Sequence, residues 1–155
     1  MRERAVDGVA MVIGSFPDLC VEDVTVSVAW YRALLDLDVV VDQGWYAELG
    51  IAGSTLVAFV RTGHETVPPT AGLRPSGILV SFEVDDAGSV AARAEALGLD
   101  VIVPLTIELG QRHLMVVDPD GAVVDVVERV ALERRDLARL AVLRRRHTEG
   151  AVECR

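Results

Sequence analysis

Two stretches of this chain, about sixty residues apart, run through the same succession of residue types, and a repeat at that spacing restricts the fold more than any other feature. Leu19-Cys20-Val21-Glu22-Asp23 leads into a helical stretch and then Leu35-Asp36-Leu37-Asp38-Val39-Val40. Phe82-Glu83-Val84-Asp85-Asp86 leads into another and then Leu97-Gly98-Leu99-Asp100-Val101-Ile102. Each copy reads as strand, acidic cap, helix, strand. Val24, Val28, Tyr31 and Leu35 recur at three- and four-residue spacing, as do Val90, Ala94 and Leu97, so each helix has one apolar stripe to lay on a sheet. Asp23 and Asp86 suit the N-cap, where a short carboxylate accepts from free first-turn amides and meets the positive end of the helix dipole. Gly98 reads as the second helix's stop.

Three candidate strands follow each helix, at about 37–42, 45–50 and 54–61, then at about 99–104, 112–117 and 122–128. The chain therefore reads as α+β, with paired β-α-β-β-β modules over residues 15–61 and 77–130. A Pro- and Gly-rich linker at 62–76 separates them, and a possible extra strand at 8–13 lies in an N-terminal extension of residues 1–14. Residues 131–155 form a C-terminal segment in which 131–147 look helical, with Leu132, Leu137, Leu140, Ala141 and Leu143 set among Arg and acids. That helix is expected to pack on the body or on a second subunit.

Half of the 155 residues are apolar, 51%, ample for a core. The absence of a run of about 20 apolar residues, and the short interrupted run in MRERAVDGVAMVIGSF, argue for a cytoplasmic protein with no membrane partner. Cys20 and Cys154 are expected to be free thiols. Residues 1–130 carry eight Arg against twenty acids, a net −12, while 131–155 carry seven Arg against four acids, a net +3. So acidic a body repels nucleic acid and suits a cationic or neutral ligand. The Arg144-Arg145-Arg146 run is expected to be a solvated helix end.

Leu114 to Glu128, LMVVDPDGAVVDVVE, is a β-hairpin by composition, since Pro119 fixes φ and Gly121 admits φ > 0 between two β-branched runs. It sets a carboxylate, Asp125, in mid-strand, where it needs solvent, a partner or a cavity. Pairing residue 114 with 125 through the turn puts Arg112, Leu114, Val116, Val123, Asp125 and Val127 on one face and His113 on the other. Arg112 then lies diagonally from Asp125, and an ion pair between them is the alternative to both touching a ligand.

Val21-Glu22-Asp23 leading into Ser27-Val28-Ala29-Trp30-Tyr31-Arg32, the run Phe82-Glu83-Val84-Asp85-Asp86, and Gly110-Gln111-Arg112 before Asp118-Pro119-Asp120-Gly121 resemble the vicinal oxygen chelate superfamily of glyoxalase I, extradiol dioxygenases and bleomycin-resistance proteins. The resemblance spans about residues 15–130, is specific for fold and poor for function. It implies two modules curled into a cup, usually completed by dimerisation. In the enzymes that cup holds a divalent metal on the first and last strands of each module. Carried over by register, the opening ligands fall at Phe16 and Leu79, neither able to bind a metal. The closing acid of the second module falls at Asp125, and the remaining position lies in 54–60, where no His, Glu or Asp occurs. One carboxylate cannot hold Zn, Ni or Fe usefully, so no metal or other cofactor is expected.

Strand alternation gives the candidate ligand contacts: Phe16 and Asp18 with Cys20, Leu79 and Ser81 with Glu83, then Arg112, Leu114 and Asp125, and one of Trp45 and Tyr46. Cys20 is expected to be inert, with carboxylates around it and no base to deprotonate it. The favoured reading is a metal-independent small-molecule binding protein of the bleomycin-resistance type. It would sequester an antibiotic or metabolite, cationic or aromatic, in the clefts of a homodimer. The alternative is a metal-dependent lyase, isomerase or dioxygenase of the same superfamily. A partner domain docking through its arginine-rich helix is a third reading.

Overall fold

Two four-stranded sheets of identical topology frame the chain between residues 18 and 129. The computed structural model describes residues 12–71 and 74–150, with residues 144–150 as backbone only. The first half runs β1 (Asp18–Val21), α1 (Val24–Leu35), β2 (Asp38–Asp42), β3 (Tyr46–Ile51) and β4 (Ser54–Arg61). The second runs β5 (Leu79–Glu83), α2 (Ala87–Ala96), β6 (Val101–Glu108), β7 (Gln111–Val117) and β8 (Val123–Arg129), and α3 (Arg134–Gly150) follows. Sheet orders are β1-β4-β3-β2 and β5-β8-β7-β6, with the first strand of each half parallel to the last and the other pairs antiparallel. A mixed α+β fold of repeated β-α-β-β-β units is what the repeat in the sequence implies.

Both helices begin where the sequence supplies a cap. Asp23 accepts from the amides of Thr25 and Val26, and Asp86 from that of Ser89. The first helix ends at Asp36, in the left-handed region at φ 56, whose N–H reaches Arg32 O; the second ends at Leu97, with Gly98 at φ 65 beyond it. On α1 the buried set is Val24, Ser27, Tyr31 and Leu34, with Val28 and Leu35 at its margin. Alternate residues of the strands, Leu19, Val21, Val57 and Phe59 in one sheet and Val80, Phe82, Leu114, Val116, Val124 and Val126 in the other, join these helix faces in one core. Each fully buried branched side chain there stabilises by about 1.5–3 kcal/mol. The opposite face of each sheet is left free of helix, and of the candidate contacts Asp18, Tyr46, Ser81 and Asp125 lie on it, whereas Leu114 belongs to the core.

The halves also meet through polar bonds. Glu22 N donates to Asp120 Oδ1 at 2.9 Å, Arg93 Nη1 to Leu34 O at 2.9 Å, and the Tyr31 ring lies 6.1 Å from that of Phe82.

Three local expectations shift. The strand expected at 99–104 runs Val101–Glu108, because the connection to β7 is only Leu109-Gly110, both at positive φ (53 and 79), the two-residue hairpin geometry. The last helix starts at Arg134, with Asp136 accepting from the amides of Glu133 and Leu109. Of the possible strand at 8–13, Val12 and Ile13 are exposed and belong to no strand; residues 8–11 lie outside the described residues, as does Cys154.

Candidate functional site

On the helix-free face of the first sheet the registers set two rows of side chains across three strands: Asp18, Ala58 and Glu48, and beside them Cys20, Val60 and Tyr46. Tyr46 Oη donates to Glu48 Oε1 at 2.9 Å, and Thr55 Oγ1 donates to Glu48 Oε2. Two donors thus fix Glu48 as an acceptor beside Asp18. Burial, then the neighbouring Glu48 charge, push the Asp18 carboxyl above its ordinary value. Burial followed by the hydrogen bond and charge of Glu48 raise the Tyr46 hydroxyl to about 12. Burial and Asp18 push the Cys20 thiol up, away from the thiolate a nucleophile requires.

Trp45, immediately before β3, walls this floor, and its ring lies flat on that of His64 with centroids 3.8 Å apart and planes 3° from parallel. His64 is held by a bond between Nδ1 and Thr66 Oγ1, at 2.9 Å, and by its own N–H to Arg61 O. The segment after β4 therefore folds back and brings Thr66, Val67, Pro68 and Ala71 against the sheet. It encloses a cleft of about 350 Å³ lined also by Asp18, Cys20, Trp45, Tyr46 and Val60. Both aromatic candidates line that cleft, where alternation allowed only one.

The second sheet carries the equivalent face. Ser81 stands opposite Asp125, which stands opposite Met115; Val127 stands opposite His113. A cleft of about 300 Å³ lies along Ser81, Glu83, Gln111, Asp125, Val127 and Arg129. His113 Nδ1 is 3.2 Å from Asp125 Oδ1, with both side chains largely buried. Here the expected register is corrected. The turn holds five residues, Asp118 to Ala122, so Met115 and not Leu114 faces Asp125, and the strand is turned over. Leu114, 1% exposed, belongs to the core rather than to this face. Arg112 pairs with Glu128 at 3.2 Å instead of Asp125, and Glu128 also accepts from the first amide of α2, Ala87 N. His113, set aside on the sequence, is the partner of Asp125.

Phe16 and Leu79 are both exposed. Leu79 borders an apolar cleft of about 440 Å³ with Pro17, Leu56 and Ile78, while Phe16 precedes β1. The two halves superpose by register: Asp18 pairs with Ala58 as Ser81 pairs with Asp125, so Ala58 occupies the place of Asp125 in the first half. The fourth metal position of the resemblance is thereby narrowed to a fully buried alanine between Asp18 and Glu48. With Phe16, Ala58, Leu79 and Asp125 at the four positions, three are hydrocarbon, and a divalent metal does not fit this set. Among the described residues no three His, Cys, Asp or Glu side chains converge elsewhere as a metal site requires. Glu48 was missed on the sequence, where alternation from Tyr46 along β3 was the available signal; His64 and His113 read there as surface or core residues rather than ligands.

The profile of the Glyoxalase/Bleomycin resistance protein/Dioxygenase superfamily matches residues 10–126. No curated protein sequence matches significantly. Among solved structures the chain is similar to TioX from Micromonospora sp. ML1 (24% identity over 76% of this chain and 100% of that one, TM-score 0.64). It is similar also to a protein of unknown function from Agrobacterium tumefaciens str. C58 (25%, 79% and 98%, TM-score 0.65). A lactoylglutathione lyase from Agrobacterium tumefaciens shares the fold at 19% identity, over 76% of this chain and 95% of that one, with TM-score 0.59.

Proposed function

The chain belongs to the Glyoxalase/Bleomycin resistance protein/Dioxygenase superfamily, and from that premise we propose that it is a metal-independent small-molecule binding protein that sequesters a cationic, planar antibiotic or metabolite. The observation that carries the reading is the placing of the Asp18 carboxylate and the Trp45 and Tyr46 rings around one cleft, with Glu48 bonded to the Tyr46 hydroxyl beside them. Carboxylates in a partly desolvated recess attract a cation more strongly than in open water, and the rings offer flat surface for stacking or cation–π contact. The net −12 of residues 1–130 steers such a ligand toward the body and opposes nucleic acid.

Ser81 and Asp125 line the matching face of the second sheet, and Leu79, on the same strand as Ser81, presents apolar surface beside them. A homodimer that set the face of one sheet against another would close both around the ligand, in keeping with the concave, largely apolar character of small-molecule sites. No helix among the described residues is long and apolar enough to cross a membrane; the cytoplasm is the proposed location.

The test is a thermal-shift screen of cationic planar compounds, glycopeptide and aromatic antibiotics included, followed by calorimetric titration in the presence and absence of EDTA. The proposal expects a melting temperature that climbs with ligand concentration, unmodified ligand recovered at the end, and no effect of the chelator. Near-stoichiometric Ni, Zn, Mn or Fe in the purified protein, lost on EDTA treatment together with a turnover, would overturn it in favour of a metal-dependent lyase, isomerase or dioxygenase.

A further inference from the structure

Each sheet ends in two open strands, so the fold has four edges, β1, β2, β5 and β6. Three of them are blunted in the ways that protect an edge from unwanted pairing. The pairing of β2 slips between Val39 and Val41, and β6 carries Pro104 and slips twice against β7. β1 is only four residues long, and Arg74, Pro75, Ser76 and Ile78 of the returning linker share a cleft with it. β5 has none of these devices: LVSFE contains no proline, and its register against β8 is unbroken.

The backbone of β5 shows what that edge offers. Val84 N donates to Val127 O on β8, and peptide groups alternate sides along a strand, so those of Val80 and Phe82 face β8 as well. The N–H and C=O of Leu79, Ser81 and Glu83 face the other way, and none of them has a backbone partner among the described residues. They border the cleft of about 440 Å³ that Pro17 and Leu56 wall on its other side, a size that takes a short chain rather than a folded partner. Leu79 and Ile78 lie exposed along it. Through Ser81 and Glu83 it joins the cleft of Asp125 and Arg129, where two carboxylates stand against one guanidinium, Arg129 pairing with Glu83 at 3.2 Å. Donors and acceptors that recur every second residue, about 6.8 Å apart, are matched by an extended peptide backbone.

We propose that β5 takes a short extended peptide as a fifth strand of the second sheet, with apolar side chains at alternate positions against Leu56 and Leu79 and a basic one at the Glu83 end. Main-chain hydrogen bonds supply the affinity of such an addition, and alternate side chains its selectivity. The inference goes beyond the cleft of Asp18 and Trp45 and stands if that cleft takes no ligand.

Fluorescence anisotropy on the full chain is the experiment. The probes are labelled, end-capped hexapeptides that alternate valine and threonine and carry arginine at one end or at the other, because a strand can add in either direction. One of the two is expected to bind. Methylating its amide nitrogens at one set of alternate positions is expected to weaken binding about tenfold or more, and methylating the other set to cost less. Ser81→Pro removes an outward N–H and leaves the ladder to β8 intact, and is expected to cost about 2- to 10-fold, one backbone hydrogen bond. Glu83→Lys, at an exposed position, is expected to weaken binding and to be rescued when glutamate replaces the arginine of the peptide; it decides the matter if Ser81→Pro does not fold. Failure of both peptides to bind at about 1 mM, binding indifferent to both substitutions, or equal losses from the two methylation sets would each overturn the proposal. So would a dimer in sedimentation velocity that Ser81→Pro dissolves and the peptides do not, which would give the edge to a second copy. Peptide binding without any binding of planar cations would count against the function proposed above and not against this edge, and the reverse outcome would count against the edge alone.

Discussion

The hydroxyl of Tyr31, in the first helix, donates to Asp118 Oδ2 at 3.0 Å across 87 positions of sequence. The same carboxylate, through Oδ1, accepts from Asp120 N and Ala122 N, so the DPDG turn is braced internally before it reaches α1. Burial, then the Asp118 charge and hydrogen bond, drive the tyrosine far above its ordinary range, and burial outweighs the bonds to raise Asp118 as well. Tyr31→Phe keeps the ring contacts with Phe59 and Phe82 and strands one buried oxygen. Urea denaturation is expected to show a loss of about 1–3 kcal/mol. An unchanged midpoint would mean that the turn does not help to hold the halves together.

Asp18 costs the folded protein stability above its own titration. Its carboxyl is raised in the folded protein, by burial first and by Glu48 second, so the native state binds that proton more tightly than the unfolded chain. Stability therefore falls as pH rises from the ordinary value of 3.8 through the raised folded value, and the cost persists above it. Asp18→Asn is expected to melt higher than wild type at pH 7, with the difference closing as pH drops below about 4, and to bind cations less well. Melting curves against pH check the sign; a variant less stable at pH 7 would show that Asp18 has a stabilising partner.

The Trp45 wall carries a prediction of its own. Trp45→Ala removes one ring of the stacked pair with His64 and one side of the cleft. Affinity for a cationic planar compound is expected to drop about 2- to 30-fold, the ~0.5–2 kcal/mol of a cation–π or stacking contact. Trp30→Phe, on α1 against Tyr31 and away from the cleft, is the control expected to leave binding alone. Equal affinities for wild type and Trp45→Ala by calorimetry would remove the aromatic wall from the site.

How much of this was legible in the sequence depends on how local the determining contact is. Caps at Asp23 and Asp86, the Gly98 stop and the repeated module are written in residues that act within a few positions of themselves, and they read correctly. Register is different. The DPDG turn closes through Asp118 N to Ala122 O, a five-residue loop where four were assumed. That single position turned Leu114 into the core and brought His113 to Asp125. The stack of His64 on Trp45 was equally out of reach, because it joins a linker to a strand start nineteen positions away with no periodicity to announce it.

The corrected register can be tested through the pair it creates. Asp125 is 8% exposed, and its Oδ1 lies 3.2 Å from His113 Nδ1. Truncating the histidine leaves a carboxylate in a recess without that partner, whereas removing both groups leaves an apolar patch among Met115 and Val127. A buried polar group costs most when only its partner is taken away. His113→Leu and Asp125→Leu are each expected to destabilise by about 1–3 kcal/mol, and the double variant by less than the two losses combined. A coupling of about 1 kcal/mol or more in this cycle, from urea denaturation at neutral pH, is the expected outcome. Strict additivity would say that the two side chains do not meet, and with that the five-residue turn and the facing of β7 would have to be redrawn.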